Sequence, residues 1–488
     1  MKTCNLFFAG LLTSGALSYE ELTPDKAAAD IQEDGLRDVL ENLDRIAREN
    51  GGNRAFGFPG YNASLDFVLG RVIGQFGEYF DTTIQPFNYT FSTTYHISVR
   101  GPDGELKNIS SVENNNPAPL PGGVTGNFVA LPIDDKRGSG CFEDQWKDFN
   151  VDSKIALVKR GGYPLGRKLK IAKKKGAVGV LAINNAPGPN VQSGSLDDED
   201  YGELAPVAIL TQEQGLDWKK QLDGNKTIEA TLVVDATVED RETWQIISET
   251  KEGDPDNVVM IGAHLDSVQM GPGIDDDGSG TATVLELAGT LTKYTGYTNK
   301  IRLAWWGAEE SGMIGSSYYV SQLSDDEADN IRFYINIDMT ASPHPFFHVY
   351  ADDDNDKTGG HLLLDYLIKQ GYPAEHFSGD SDFVGFVEAG IPSSGLFTRA
   401  GYPYDVCYHK ACDDINNINW DAITINAKAA AYVVSRLALS LDGIPPRDTS
   451  SANPSSKRTV ARNLAKWKRM AKGNGKKHSC SGDKKNTF

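Results

Sequence analysis

From about residue 240 the chain alternates short apolar runs with longer amphipathic ones. VVMIGAHLD, KIRLAWWGAEE, RFYINIDM, FFHVYADDD and IPSSGLF read as strands. GSGTATVLELAGTLTKY, IGSSYYVSQL, GGHLLLDYLIKQGY and WDAITINAKAAAYVVSRLALSL read as helices. Strands without polar alternation must be buried on both faces, so helices have to cover both sides of the sheet they form. The expected class is α/β, a doubly wound mixed sheet. In such sheets ligands bind beyond the carboxyl ends of the strands.

Those ends are where the chemistry lies. The first strand runs into GAHLDSVQMGPGIDDDGSG, which holds His264, Asp266, Asp275, Asp276 and Asp277. The next ends in Glu309 and Glu310, the third in Asp338, and His409 sits in CYHKAC. Crowded carboxylates repel, and burying them unpaired is expensive. A solvated acidic loop is one resolution; a multivalent cation is the other. One imidazole and one carboxylate bind one zinc, a second such pair binds another, and a bridging carboxylate completes the set. Two metals about 3.5–4 Å apart together activate a water and hold a carbonyl oxygen. Cobalt or manganese would accept the same mixed nitrogen and oxygen donors. Adjacent side chains in a strand-end turn point different ways, so one glutamate of the Glu309–Glu310 pair can bind metal while the other faces the water.

The 488 residues carry a formal net charge of −19, which argues against wholesale nucleic-acid binding. No run reaches the roughly 18 apolar residues that a membrane span needs. MKTCNLFFAGLLTSGALS reads as a secretory signal, with a lysine, a short apolar centre and small residues Ala16 and Ser18 at the cleavage site. Secretion fits four N-glycosylation sequons, at Asn62, Asn88, Asn108 and Asn225. Cys407 and Cys412 are spaced to close a small loop, and Cys141 and Cys480 form a second bridge or stay free. The tail from Lys457 to Lys485 has eleven Lys or Arg against one Asp and reads as a solvated basic extension.

Composition shifts divide the chain into a signal peptide (1–18), the N-terminal part of the main domain (19–115), an insert (116–238), the main domain with its acidic strand ends (239–445) and the basic tail (446–488). The first dozen residues after the signal are either a short propeptide or the mature N-terminus.

GAHLDSV, GPGIDDDGSG, WWGAEESGMIGS, INIDM, GIPSSGLFT and CYHKACD closely resemble the di-zinc aminopeptidases of the aminopeptidase Y and bacterial leucyl aminopeptidase type. GSGCFEDQW, KIALVKRGG and KKKGAVGVLAINN resemble a protease-associated domain. The resemblance implies a zinc-exopeptidase fold, phosphorylase/hydrolase-like, interrupted by a β-rich α+β protease-associated domain. By position it gives one zinc to His264 and Asp338 and the other to Glu310 and His409, with Asp276 bridging. Glu309 becomes the general base, Asp266 the carboxylate that orients His264, and Tyr408 the donor to the oxyanion. It also implies a cis peptide between Asp276 and Asp277 and a disulfide between Cys407 and Cys412 that fixes His409. Asp380 stands where the bacterial enzyme has arginine.

Met339, Phe383, Phe386 and Phe397 are candidates for an apolar specificity pocket, with ordinary core packing as the alternative. The expected partners are peptides with a free, Leu-like N-terminus, cleaved by a secreted monomer. The competing readings are a zinc carboxypeptidase using Arg399, a glutaminyl cyclase, or a non-catalytic binding module.

Overall fold

The structure, a computed structural model, describes residues 19–112, 115–118, 122–188, 196, 202–351 and 354–449. The signal segment, Cys480 and most of the basic tail lie outside the described residues. Two compact units emerge: one from residues 1–87 and 242–488, the other from Asn88 to Arg241. The second unit starts well before the Pro- and Asn-rich stretch near residue 116 because strand Phe80–Arg100 runs without interruption into it.

In the first unit, the end of β1 (Glu229–Thr250) with β2 (Asp254–His264), β3 (Asn299–Trp306), β4 (Ile331–Ile337), β5 (Phe347–Tyr350), β6 (Ala374–Phe377) and β7 (Ser393–Phe397) assembles in the order β6-β5-β7-β4-β2-β3-β1. The four central strands β7, β4, β2 and β3 run parallel. The end of β1 joins β3 antiparallel, and β5 joins β7 antiparallel. The sheet is therefore mixed and α/β, as the alternation requires.

Successive residues of a strand face opposite sides. Val259, Ile261 and Ala263 join one core with Ile301, Leu303, Trp305, Phe333 and Ile335. Met260, Ala304, Trp306 and Tyr334 join the other. The first core is closed by helices α1 (Glu33–Glu49), α2 (Ser279–Leu291), α3 (Asp354–Lys369) and α4 (Trp420–Leu439). On α1 the buried positions Leu36, Val39, Leu40, Leu43 and Ile46 fall at helical spacing and form one apolar stripe. Leu22, Ala27 and Ile31 are built into the same core, so the segment from residue 22 to 31 is part of the folded body. The opposite core is aromatic, with Tyr334 and Phe386 stacked at 3.9 Å between ring centroids.

In the second unit strands Val124–Ala130, Ile155–Lys159, Gly179–Ile183 and Val207–Leu210 pair in parallel. Helices Leu165–Lys174 and Gln212–Asp223 supply Leu169, Ala172 and Trp218 to its two cores. Lys168 is fully buried, and its ammonium donates to the carbonyls of Ser139, Lys159 and Gly161 at 2.7–2.9 Å. Cys141 is a buried free thiol. Asn62, Asn108 and Asn225 are exposed, and Asn88 is half-buried.

Candidate metal centre

The parallel strands end together and bring their acidic termini to one edge. His264 closes β2, Glu309 and Glu310 follow β3, and Asp338 follows β4. His264, Asp276 and Asp338 offer ligand atoms all within 4.8 Å of one another, and so do Asp276, Glu310 and His409. Asp276 belongs to both groups. Its Oδ1 lies 3.3 Å from His264 Nε2, and its Oδ2 lies 3.1 Å from His409 Nε2. Glu310 Oε2 lies 3.1 Å from the same His409 nitrogen.

A cation fits these residues on two grounds. Glu310 Oε1 is buried with no hydrogen-bond partner among the described residues, a costly state for a carboxylate oxygen. The donors are also imidazole nitrogens and carboxylate oxygens, the set that suits zinc.

The surroundings hold the donors in place. Asp277, which joins neither group, accepts from the backbone N–H of His264, Gly280 and Met339 at 3.3, 2.7 and 3.3 Å, tying β2, β4 and the start of α2 together. A Cβ on Gly280 would fall 2.4 Å from the Asp277 carboxylate, so only glycine allows this approach. Asp413 accepts from the N–H groups of Asp275 and Asp276 at 2.9 and 3.1 Å. The Asp276–Asp277 peptide is cis.

Behind Asp338 runs a hydrogen-bonded relay. Trp306 Nε1 donates to Tyr334 Oη, Tyr334 to Asn336 Oδ1, Asn336 Nδ2 to Ser381 Oγ, and Ser381 to Asp338 Oδ2, at 2.6–3.0 Å per step.

Asp266 is fully buried, and its carboxylate is hydrogen-bonded to the main chain. It accepts from the N–H groups of Glu309 and Glu310 at 3.1 and 3.3 Å. His264 Nδ1 instead lies 3.1 Å from the main-chain oxygen of Asp266, against 3.8 Å from the carboxylate. A carbonyl at that distance takes the Nδ1 proton and leaves Nε2 free for metal.

Cys407 and Cys412 are bridged, and the small loop they close holds His409 at φ 57°, in the left-handed region. That conformation costs a non-glycine residue about 1–2 kcal/mol, which the surrounding structure has to supply. Tyr408 stacks on His409 at 3.8 Å.

The charge balance asks for cations. Burial alone would depress both imidazoles. For His409 the hydrogen bonds and charges of Asp276 and Glu310 outweigh burial and push it up to about 10. For His264, Asp276 together with Glu309, Asp277 and Asp338 pushes it well above its ordinary value. Burial would also raise Asp276, but the two imidazoles hold it well below the usual carboxylate range. Burial, helped by the Asp276 charge, pushes Glu310 up to about 7.

A dication has to displace the imidazole protons, so protons and metal compete. The sign follows: apparent zinc affinity rises with pH, about tenfold per unit for each proton released, until His409 deprotonates near 10. Titrating metal-free protein with zinc between about pH 6 and 8 checks this. A flat affinity would contradict the ligand set.

A cavity of about 190 Å³ opens beside the donors. Glu309, Met339, Tyr350, Phe377, Phe397 and Tyr408 contribute to its walls, with Asp380 also lining it. Met339 and Phe397 are therefore pocket residues, whereas Phe383 and Phe386 are fully buried in the aromatic core. The sequence reading does not single out Tyr350, a strand aromatic, or Phe377, whose short strand Ala374–Phe377 it does not include. Arg399 is absent from the cavity lining; its Nε donates to His348 Nε2 at 2.7 Å, and its guanidinium lies over Phe346, Phe377 and Tyr404.

Fold and donor set together are those of an α/β protein whose strand-end edge could hold metal ions. Residues 245–434 match Peptidase family M28, and residues 124–218 match the PA domain. Aminopeptidase Y of Saccharomyces cerevisiae is 34% identical, with 81% of this chain and 76% of that protein covered. A probable leucine aminopeptidase 2 of Aspergillus oryzae is 33% identical, covering 93% and 94%. In fold the chain is similar to an aminopeptidase from Aneurinibacillus sp. strain AM-1 (TM-score 0.68, 23% identity, 87% and 97% covered). It is also similar to BSAP, a zinc aminopeptidase from Bacillus subtilis (TM-score 0.61, 22% identity, 86% and 96% covered). The chain belongs to peptidase family M28 and carries a PA domain, and it is an enzyme, a hydrolase of that family. Among the described residues no helix is long and apolar enough to cross a membrane.

Proposed function

We propose that this chain is a secreted two-zinc aminopeptidase that removes Leu-like residues from peptide N-termini. The observation that carries the reading is Asp276 faced by an imidazole on each side, beside a cavity whose walls combine Met339, Phe377 and Phe397 with carboxylates to spare. His264, Asp276 and Asp338 would hold one zinc, and Asp276, Glu310 and His409 the other. Bound there, zinc supplies Lewis acidity to the scissile carbonyl and makes water a better nucleophile near neutral pH.

The remaining steps belong to the chain. Glu309 takes a proton from the attacking water and returns it to the leaving amine. Tyr408 donates a hydrogen bond to the developing oxyanion; burial and the nearby acids push its phenol well up, so it keeps the proton it donates. The substrate ammonium needs acceptors not used by metal. Glu309 and Asp380 line the cavity and can serve. The second oxygen of Asp338 already accepts from Ser381. The aliphatic side chain of the N-terminal residue enters between Met339, Phe377 and Phe397. No lysine or arginine lines the cavity among the described residues, which favours this reading over a carboxypeptidase.

Export removes residues 1–18, the four sequons are glycosylated, and the protein works as a monomer. Comparing leucyl, N-acetyl-leucyl and N-terminal glutaminyl substrates tests the reaction class: only the free leucyl amine should be cleaved. Phe377→Ala is expected to lower the leucyl-to-alanyl ratio of kcat/KM about tenfold, the usual worth of lost apolar complementarity. An unchanged ratio would remove Phe377 from the pocket.

A further inference from the structure

One side chain from far along the sequence holds both segments that carry the first ligands. Arg54 follows α1 and is fully buried. Its Nε donates to the Pro272 carbonyl at 2.9 Å, its Nη2 to the Gly273 carbonyl at 2.6 Å, and its Nη1 to the Leu265 carbonyl. Its own N–H donates to Ser267 Oγ at 2.9 Å, and that hydroxyl lies 3.0 Å from the Gly271 carbonyl. Leu265 is next to His264, and Gly273 begins the turn that presents Asp276. The guanidinium is thus a clamp between the strand end and the acidic loop.

Asp266, Asp276, Asp277 and Asp413 are all within electrostatic reach of Arg54, yet the hydrogen bonds it makes here go to main-chain carbonyls. Its positive charge acts on the buried acids as a group, while its donors set the distance between two loops. Burying an arginine is costly, and a simple staple between two loops needs no charge.

We propose that Arg54 is a positioning residue of the metal centre: it sets the separation between His264 and Asp276 before metal arrives. The two consequences of the side chain differ in sign. A fixed cation near the site opposes a dication, so losing the charge favours zinc. Losing the clamp leaves the ligands to be gathered on binding, which weakens zinc. Arg54→Lys separates the two effects, because lysine keeps the charge but cannot reproduce the planar fork across three carbonyls.

The experiment titrates full-length, metal-free R54K with zinc against a chromophoric chelator at fixed pH, alongside thermal melting of the metal-free protein. Zinc binding is expected to weaken about tenfold, as when an outer partner of a ligand is lost. With zinc saturating, kcat for a leucyl substrate should fall while KM stays unchanged. Arg54→Met, which also removes the opposing charge, should bind zinc more tightly than R54K. Ser267→Ala keeps the test open if R54K does not fold, and should weaken zinc about threefold by loosening the same clamp. Wild-type zinc affinity in R54K, or in S267A where R54K fails to fold, would overturn the proposal. So would a lower melting temperature as the only effect. The inference rests on the metal reading of the site; if the wild-type chain bound no zinc in the same titration, that reading would fail first and separately.

Discussion

Glu309→Gln is expected to lower kcat by about 10²–10⁴ while leaving the bound zinc unchanged. Glu309 belongs to neither donor group, although its Oε2 lies 3.9 Å from His264 Nε2 and it lines the cavity. An amide at that position keeps the size and shape of the side chain and cannot accept a proton. Burial, together with Asp382, Glu310 and Asp338, pushes the Glu309 carboxyl well up, and His264 holds it down. Dications held by the two donor groups would act in the same direction as His264 and keep it ionised, as a base has to be. Turnover of a leucyl nitroanilide and metal analysis of the same sample read the two halves of the expectation. Wild-type turnover would remove Glu309 from the chemistry; loss of zinc would make it a ligand instead.

The second large effect is expected for Asp276→Ala. Removing an outer partner of a metal ligand costs roughly 10–100-fold in affinity. Asp276 is shared by both donor groups, so its loss should weaken binding at both by more than that and take activity with it. Asp338→Ala and Glu310→Ala each touch one group, so each should weaken one site and spare the other. Asp413 hydrogen-bonds the backbone of Asp275 and Asp276 rather than their side chains, so the loop should survive the truncation. Cooperative melting of the metal-free variant confirms that the fold is intact. If D276A retained metal at both sites with wild-type affinity, the shared-carboxylate geometry would be wrong.

The sheet and the edge were legible from the sequence because two constraints act together there. Strands buried on both faces announce themselves as apolar runs, and carboxylates at the ends of such runs have few places to go. Asp266 shows where this reasoning stops. The family resemblance makes it the carboxylate that orients His264, and nothing in the local sequence announces that its carboxylate accepts from the N–H groups of Glu309 and Glu310. Arg54 carries no local signal, since the carbonyls it holds are more than two hundred residues away. The pocket was half legible for a related reason. Phe377 and Phe386 have the same character in sequence, and only packing puts one at the cavity and the other against Tyr334.

The relay that ends on Asp338 begins deep inside the sheet, against Gly262. A methyl group there would sit 2.7 Å from Trp306 Nε1 and 2.9 Å from Tyr334 Oη. The first link could not tolerate it, and the strain would pass along four side chains to a carboxylate of the donor cluster. An inherited change at this hidden glycine would register as an altered catalyst even though no surface residue had changed.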